Sequence, residues 1–337
     1  IGNTLAQDCS NNTSSPTVGS VGNCGSASSD SGADVYWTTT GTAASTVANS
    51  SVTKASSLAV LSIPANATVT HAYLLWGAYH GNTAAADQTA TVSRPGGFSS
   101  DVSAVSSKTA VYAGSNYYQS VADVTSIVKA NGSGAYQISN VEIGALTNLT
   151  EEVAFASWSM VVFYSLETEP LRNLALFDGF DVVGDGAPQN AQISGFLVPD
   201  SGYKATLGVV AYEGDNLAAG DSLFFGKSPF VEGALHDSLN PADNFFNGTH
   251  SFLGTAVSTA GDLPQSTGTA GSMSSFDIDV VDIKSRVSPG QKSADIRASS
   301  NQDVYFLGAF VTSISTYRPD FTASTKTVED LNHGSLV

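Results

Sequence analysis

The stretch Tyr73-Leu74-Leu75-Trp76-Gly77-Ala78-Tyr79-His80-Gly81-Asn82-Thr83-Ala84-Ala85-Ala86-Asp87 runs from an apolar, aromatic strand into a Gly/Asn turn. It has an echo further along. Leu207-Gly208-Val209-Val210 leads into Ala211-Tyr212-Glu213-Gly214-Asp215-Asn216-Leu217-Ala218-Ala219-Gly220-Asp221, with one residue inserted in the turn. A second echo pairs Asp123-Val124-Thr125-Ser126-Ile127-Val128-Lys129 with Asp279-Val280-Val281-Asp282-Ile283-Lys284. Each is followed by a Gly turn and two further strand-like segments. Self-similarity of this kind marks repeated structural units. The chain therefore reads as two related units, residues 31–168 and 169–317.

Outward from these echoes, short β-branched and aromatic segments alternate with Gly, Pro, Asn and Asp, which is the pattern of all-β sandwiches. The expected fold is all-β, two tandem jelly-roll-like β-sandwiches with an N-terminal arm and an extended C-terminal tail. Residues 1–30 are Gly/Ser/Asn-rich and read as a polar arm. Residues 318–337 read as a surplus extended strand. The best helix candidate is Ser120–Lys129, with Val121, Val124, Ile127 and Val128 on one face. Trp37, Trp76 and Trp158 sit within apolar runs and are expected in cores.

Composition bounds the function. The net charge is −17, and only 13% of residues are charged, against about 25% in ordinary soluble domains. A lysine-poor, acidic chain lacks the basic footprint that nucleic acid or anionic lipid requires. No apolar run reaches the roughly 18 residues of a membrane span. The sequence opens on Ile1 rather than Met, which points to a removed signal peptide and an extracellular or cell-surface location. In an oxidising compartment Cys9 and Cys24 would close a loop of about 15 residues, worth about 3 kcal/mol. Asn-x-Ser/Thr sequons, among them Asn11, Asn66 and Asn247, carry glycans only where the host has the machinery.

The search for chemistry finds no anchor for catalysis. There is no Gly-x-Ser-x-Gly elbow, no His-Glu-x-x-His pair and no phosphate loop. The chain is read as non-enzymatic. Two acidic, Gly-rich stretches are the candidate cation sites: Asp178, Asp181 and Asp185 in one, Glu213, Asp215 and Asp221 in the other. Hard oxygen donors on such loops suit Ca²⁺, although an Asp/Gly stretch is also an ordinary turn. Phe245 and Phe246, in the Asn/Asp-rich segment 237–247, are expected to be buried.

The segments Ile63–Trp76, Ala122–Thr125, Ser157–Tyr164, Leu171–Gly179 and Glu213–Asp215 resemble an uncharacterised β-rich domain of exported bacterial surface proteins. The segment Thr325–Leu336 resembles the opening strand of the conserved-repeat immunoglobulin-like domains that often follow it. The departure is that such a domain does not follow here. The resemblance implies no catalytic residues.

These readings converge on a secreted structural protein, a subunit of an extracellular filament or surface layer. Its partners would be copies of itself, joined head to tail by strand addition. The donor would be the tail, through Phe321, Ala323, Thr325, Thr327 and Val328, or else the N-terminal arm. The alternative is a cell-surface adhesion or glycan-binding module cut from a longer precursor, with surface glycans as partners. A hydrolase with an unrecognised carboxylate pair is a third, weaker reading.

Overall fold

The computed structural model describes residues 1–7, 35–44, 46–49, 51–144, 154–184, 186–214, 218–257, 273 and 275–317. Cys9, Cys24, Asp185, Asp215 and the whole tail, including Phe321, Ala323, Thr325, Thr327 and Val328, lie outside the described residues.

The first part of the chain forms β1 (Gly2–Gln7), β2 (Val35–Thr39), β3 (Thr46–Asn49), β4 (Ser56–Leu61), β5 (Thr68–Gly81), β6 (Thr89–Ser93), β7 (Ser99–Ser103), β8 (Ser106–Tyr112), β9 (Ser115–Asp123), α1 (Thr125–Asn131), β10 (Gly134–Ser139) and β11 (Phe155–Ser165). The second part forms β12 (Arg172–Val183), β13 (Gln189–Ser194), β14 (Ala205–Tyr212), β15 (Ser222–Gly226), β16 (His250–Phe252), β17 (Thr255–Ala256), β18 (Phe276–Asp282), β19 (Ser293–Ser299) and β20 (Tyr305–Ser315).

These strands build four open sheets. A seven-stranded sheet, β3-β2-β1-β11-β5-β9-β8, packs on a four-stranded one, β4-β10-β6-β7. A six-stranded sheet, β12-β20-β14-β18-β16-β17, packs on a three-stranded one, β13-β19-β15. Pairing is antiparallel except between β16 and β18. The fold is all-β sandwich, as the alternation of strand and turn signals predicts.

The two sheet pairs repeat one strand order. The run β1-β11-β5-β9 in the first matches β12-β20-β14-β18 in the second, and β4-β10-β6 matches β13-β19-β15. Ladder register fixes the equivalences: Ala78 faces Tyr118 on β9, and its echo Ala211 faces Asp277 on β18. By the same register, Asp123 corresponds to Asp282, not to Asp279 as the sequence echo aligns it. Both Asp123 and Asp282 cap the next turn through Oδ1, accepting from Thr125 N (2.8 Å) and Lys284 N (2.7 Å).

The expected helix over Ser120–Lys129 is shorter and later. Ser120, Val121, Ala122 and Asp123 belong to β9, paired with β5, so sheet pairing overrides the local helical period. The expected arm over residues 1–30 is also corrected at its start. β1 lies inside the seven-stranded sheet, bonded to β11 on one side and β2 on the other. It holds the place that β12 holds in the second unit.

The sandwiches do not stand apart. One face of the seven-stranded sheet packs on the six-stranded sheet, giving four stacked layers. Burial is therefore continuous along β5 (Leu74–His80) rather than alternating. The seam is aromatic: Tyr117, Phe155, Phe180, Tyr212 and Phe306 pack with ring centroids 4.6–6.4 Å apart. Gln119 spans it. Its Nε2 donates to Gly179 O (2.7 Å) and Gly308 O (3.0 Å), and its Oε1 accepts from Tyr212 OH (2.8 Å). Trp37, Trp76 and Trp158 are fully buried, as are Phe245 and Phe246.

Arg94 ties the turn after α1 to β6. Its guanidinium donates to Ala135 O, Asn131 O and Ser133 O at 2.9–3.2 Å. It also lies 5.1 Å from the Tyr136 ring centroid. Arg94→Ala is expected to cost about 2 kcal/mol in urea unfolding, since it orphans three carbonyls and removes a cation–π contact.

Candidate functional site

Two features stand out from the folded body. The first is the slot that β1 fills. Leu5 is fully buried and Ala6 nearly so. Asn3 Nδ2 donates to Leu58 O of the four-stranded sheet at 2.9 Å. On the other face, a Cβ at Gly2 would collide with Trp158 O and lie 2.5 Å from Ile278 Cδ1 of the six-stranded sheet. β1 is thus held between layers, and only glycine fits its first position. The hydroxyls of Thr4, Ser157 and Ser159 are buried without hydrogen-bond partners, so the slot is filled at some cost.

The second feature is a row of carboxylates beneath the segment 237–249. Asp277 and Asp279 alternate on one face of β18 and are fully buried, as is Asp221 before β15. Each has one oxygen fixed. Asp277 Oδ1 accepts from Gly248 N (2.9 Å) and Thr249 N (3.2 Å). Asp279 Oδ1 accepts from Ser251 Oγ (2.6 Å), and Asp221 Oδ2 accepts from Phe246 N (2.6 Å). Half-buried Asp237 repeats the pattern, its Oδ1 accepting from Leu239 N and Asn240 N. In all four, the other oxygen is buried with no partner. Burial pushes Asp221 up to about 7 and Asp279 up to about 8. Asp277 is also raised, by burial and then by the neighbouring Asp279.

The oxygens of Asn240 and Asn247 turn toward the same place. Thr249 Oγ1 lies 3.1 Å from Asn240 Oδ1, 2.8 Å from Asn247 Oδ1 and 3.4 Å from Asp279 Oδ1. Among the described residues, three ion pairs occur and none involves these carboxylates. No group of three or more His, Cys, Asp or Glu side chains among the described residues is arranged to hold a metal unaided. Any cation here would need the amide and hydroxyl oxygens as well.

The residues singled out from sequence are placed unevenly. Asp178 and Asp181 do not sit in a loop. β12 runs through them, pairing Asp178 with Ala309 and Asp181 with Leu307 across a bulge. Both are exposed, and Asp178 Oδ2 lies 3.9 Å from Lys108 Nζ. The glycine that suggested a loop, Gly179, instead supplies the bulge. Glu213 is buried at the end of β14, in a positive-φ conformation (70°). Of the four that are described, Asp221 alone joins the buried row. Asp237, Asp277 and Asp279 are not among the cation candidates that the sequence offers. The signal available was the alternation Phe276-Asp277-Ile278-Asp279, two acids in period on an otherwise apolar strand.

With the geometry in place, the comparisons add one finding. The family DUF3344, described as a protein of unknown function, matches residues 20–312. The chain belongs to this family. The family match spans both sandwiches and begins after β1, which therefore lies outside it. No curated protein and no solved structure gives a significant match. Among the described residues, no helix is long and apolar enough to cross a membrane.

Proposed function

We propose that the protein is a non-enzymatic structural subunit of an extracellular assembly, joined copy to copy by exchange of β1. One observation carries this reading. β1 and β12 occupy equivalent places in their sandwiches, yet their connections differ greatly. β12 passes directly to β13, the counterpart of β4, through residues 184–188, whereas β1 first reaches an extra neighbour, β2, through residues 8–34, although Gln7 and Val35 pair directly. An antiparallel neighbour needs a connection of about 2–5 residues.

A link of that length is not required to close the sheet, but it does permit exchange. Fully extended, it reaches up to about 90 Å, enough to place β1 in the slot of a second copy. The contacts in that slot would be the same whichever molecule supplies the strand. Where each copy donates to the next rather than back to its own donor, the contact is heterologous and propagates into a filament. The acidic, lysine-poor composition fits an exported chain. The slot that β1 fills supports the N-terminal arm as donor, and residues 318–337 lie outside the described residues.

Purified full-length protein, unfolded and refolded at high concentration, is expected to form filaments visible by negative-stain electron microscopy. Gly2→Val should leave none. Monomers alone, at every concentration of the unaltered chain, would refute strand exchange.

A further inference from the structure

We infer that the buried carboxylate row of the second sandwich is a divalent-cation site, of Ca²⁺ type, centred on the bare oxygens of Asp277 and Asp279. Tyr118 and Ser120 of β9 hold the positions of Asp277 and Asp279. Their hydroxyls are spent locally, Tyr118 on Glu142 O and Ser120 on Asp87 O. Asp87, the counterpart of Asp221, has both oxygens satisfied, by Thr89 N, Glu142 N and Trp76 Nε1. Trp76 corresponds to Val209, which has no donor to offer. The first unit therefore closes this region with neutral groups and one satisfied carboxylate. The second places three carboxylates there and removes the donor.

Protonation does not resolve the second arrangement. A neutral carboxyl carries an O–H that needs an acceptor, and the bare oxygens make no hydrogen bond. A cation seated between the two carboxylates would satisfy the bare oxygens and offset the charge. The fixed oxygens then act as supports, because Ser251, Thr249 N and Gly248 N hold each carboxylate in one orientation. The surrounding donors are all oxygen, with Asn240, Asn247 and Thr249 able to complete a shell of carbonyl and hydroxyl groups. Oxygen-only surroundings on adaptable segments select Ca²⁺ over Zn²⁺ or Cu²⁺. Asp221 and Asp237 flank the pair and add negative charge. This inference is independent of strand exchange.

The test uses the full chain, purified with Ca²⁺, desalted and analysed by elemental mass spectrometry and calorimetric titration. At least one Ca²⁺ per chain is expected, with a melting temperature that falls on chelation and recovers on adding Ca²⁺. Asp279→Asn should weaken Ca²⁺ binding well over tenfold, and Ser251→Ala, which only frees the carboxylate, about tenfold. Asp178→Asn should change nothing. A metal-free chain whose melting temperature ignores both chelator and Ca²⁺ would overturn the site. So would an Asp277→Asn, Asp279→Asn double variant that keeps the wild-type response to Ca²⁺.

Discussion

Gln119→Ala is expected to destabilise the protein by about 3–5 kcal/mol and to uncouple the two sandwiches. The side chain is buried at the seam and makes three hydrogen bonds, two to backbone carbonyls of the second unit and one from Tyr212 OH. Alanine leaves two carbonyls and a hydroxyl in an apolar seam, at about 1–3 kcal/mol each before relaxation. Tyr212→Phe removes one of these bonds and leaves the ring stacked on Phe155 at 4.8 Å, so about 1 kcal/mol is expected. Urea unfolding followed by tryptophan fluorescence distinguishes the two, because Trp37, Trp76 and Trp158 all lie in the first unit. A wild-type fluorescence transition that coincides with the one followed by circular dichroism, and separates from it in Gln119→Ala, is the expected outcome. Equal, small losses for both variants would show that the aromatic packing alone holds the layers.

Gly2→Val has the second large effect. Its branched side chain meets Trp158 O, part of a backbone ladder that cannot retreat, and the neighbouring Ile278 side chain. The strand is expected to leave the sheet, exposing Trp158, the β11 edge and the place of Leu5. The expected loss exceeds about 4 kcal/mol, which is large for one substitution. Limited proteolysis should then remove residues 1–34 far faster than in the wild type. Unchanged cleavage would mean that β1 adapts and that the slot is less demanding than its geometry implies.

These effects also show what was legible in the sequence. The strand at Leu74–Trp76 and its echo at Leu207–Val210 are legible because large apolar residues sit between turn signals, and the all-β sandwich follows. β1 is not legible: in Gly2-Asn3-Thr4-Leu5-Ala6-Gln7 only Leu5 is a bulky apolar residue. What makes it a strand is a vacant ladder on β11, a tertiary fact. The layering is hidden for the same reason, since Gln119 looks like a surface residue until the second sandwich covers it. At the carboxylate row, Asp221 is visible through its Gly-rich turn. Asp277 and Asp279 carry no local sign of burial, because nothing in their own strand says that the segment 237–249 roofs them. Asp178 and Asp181 err in the opposite direction, their Gly-rich spacing matching both a loop and a bulge.

The central claim is that β1 of one copy fills the slot of another, and a cross-link tests it most directly. Thr4 and Ser157 are ladder partners, within the Cα separation that a disulfide accepts. A chain carrying Thr4→Cys and Ser157→Cys, with Cys9→Ser and Cys24→Ser to remove competing thiols, is refolded at high concentration, oxidised and run on a non-reducing gel. Exchange predicts a ladder of covalent multimers that collapses to monomer on reduction. Cross-linking confined to the monomer, at every concentration, would show that each chain keeps its own strand and would contradict the account.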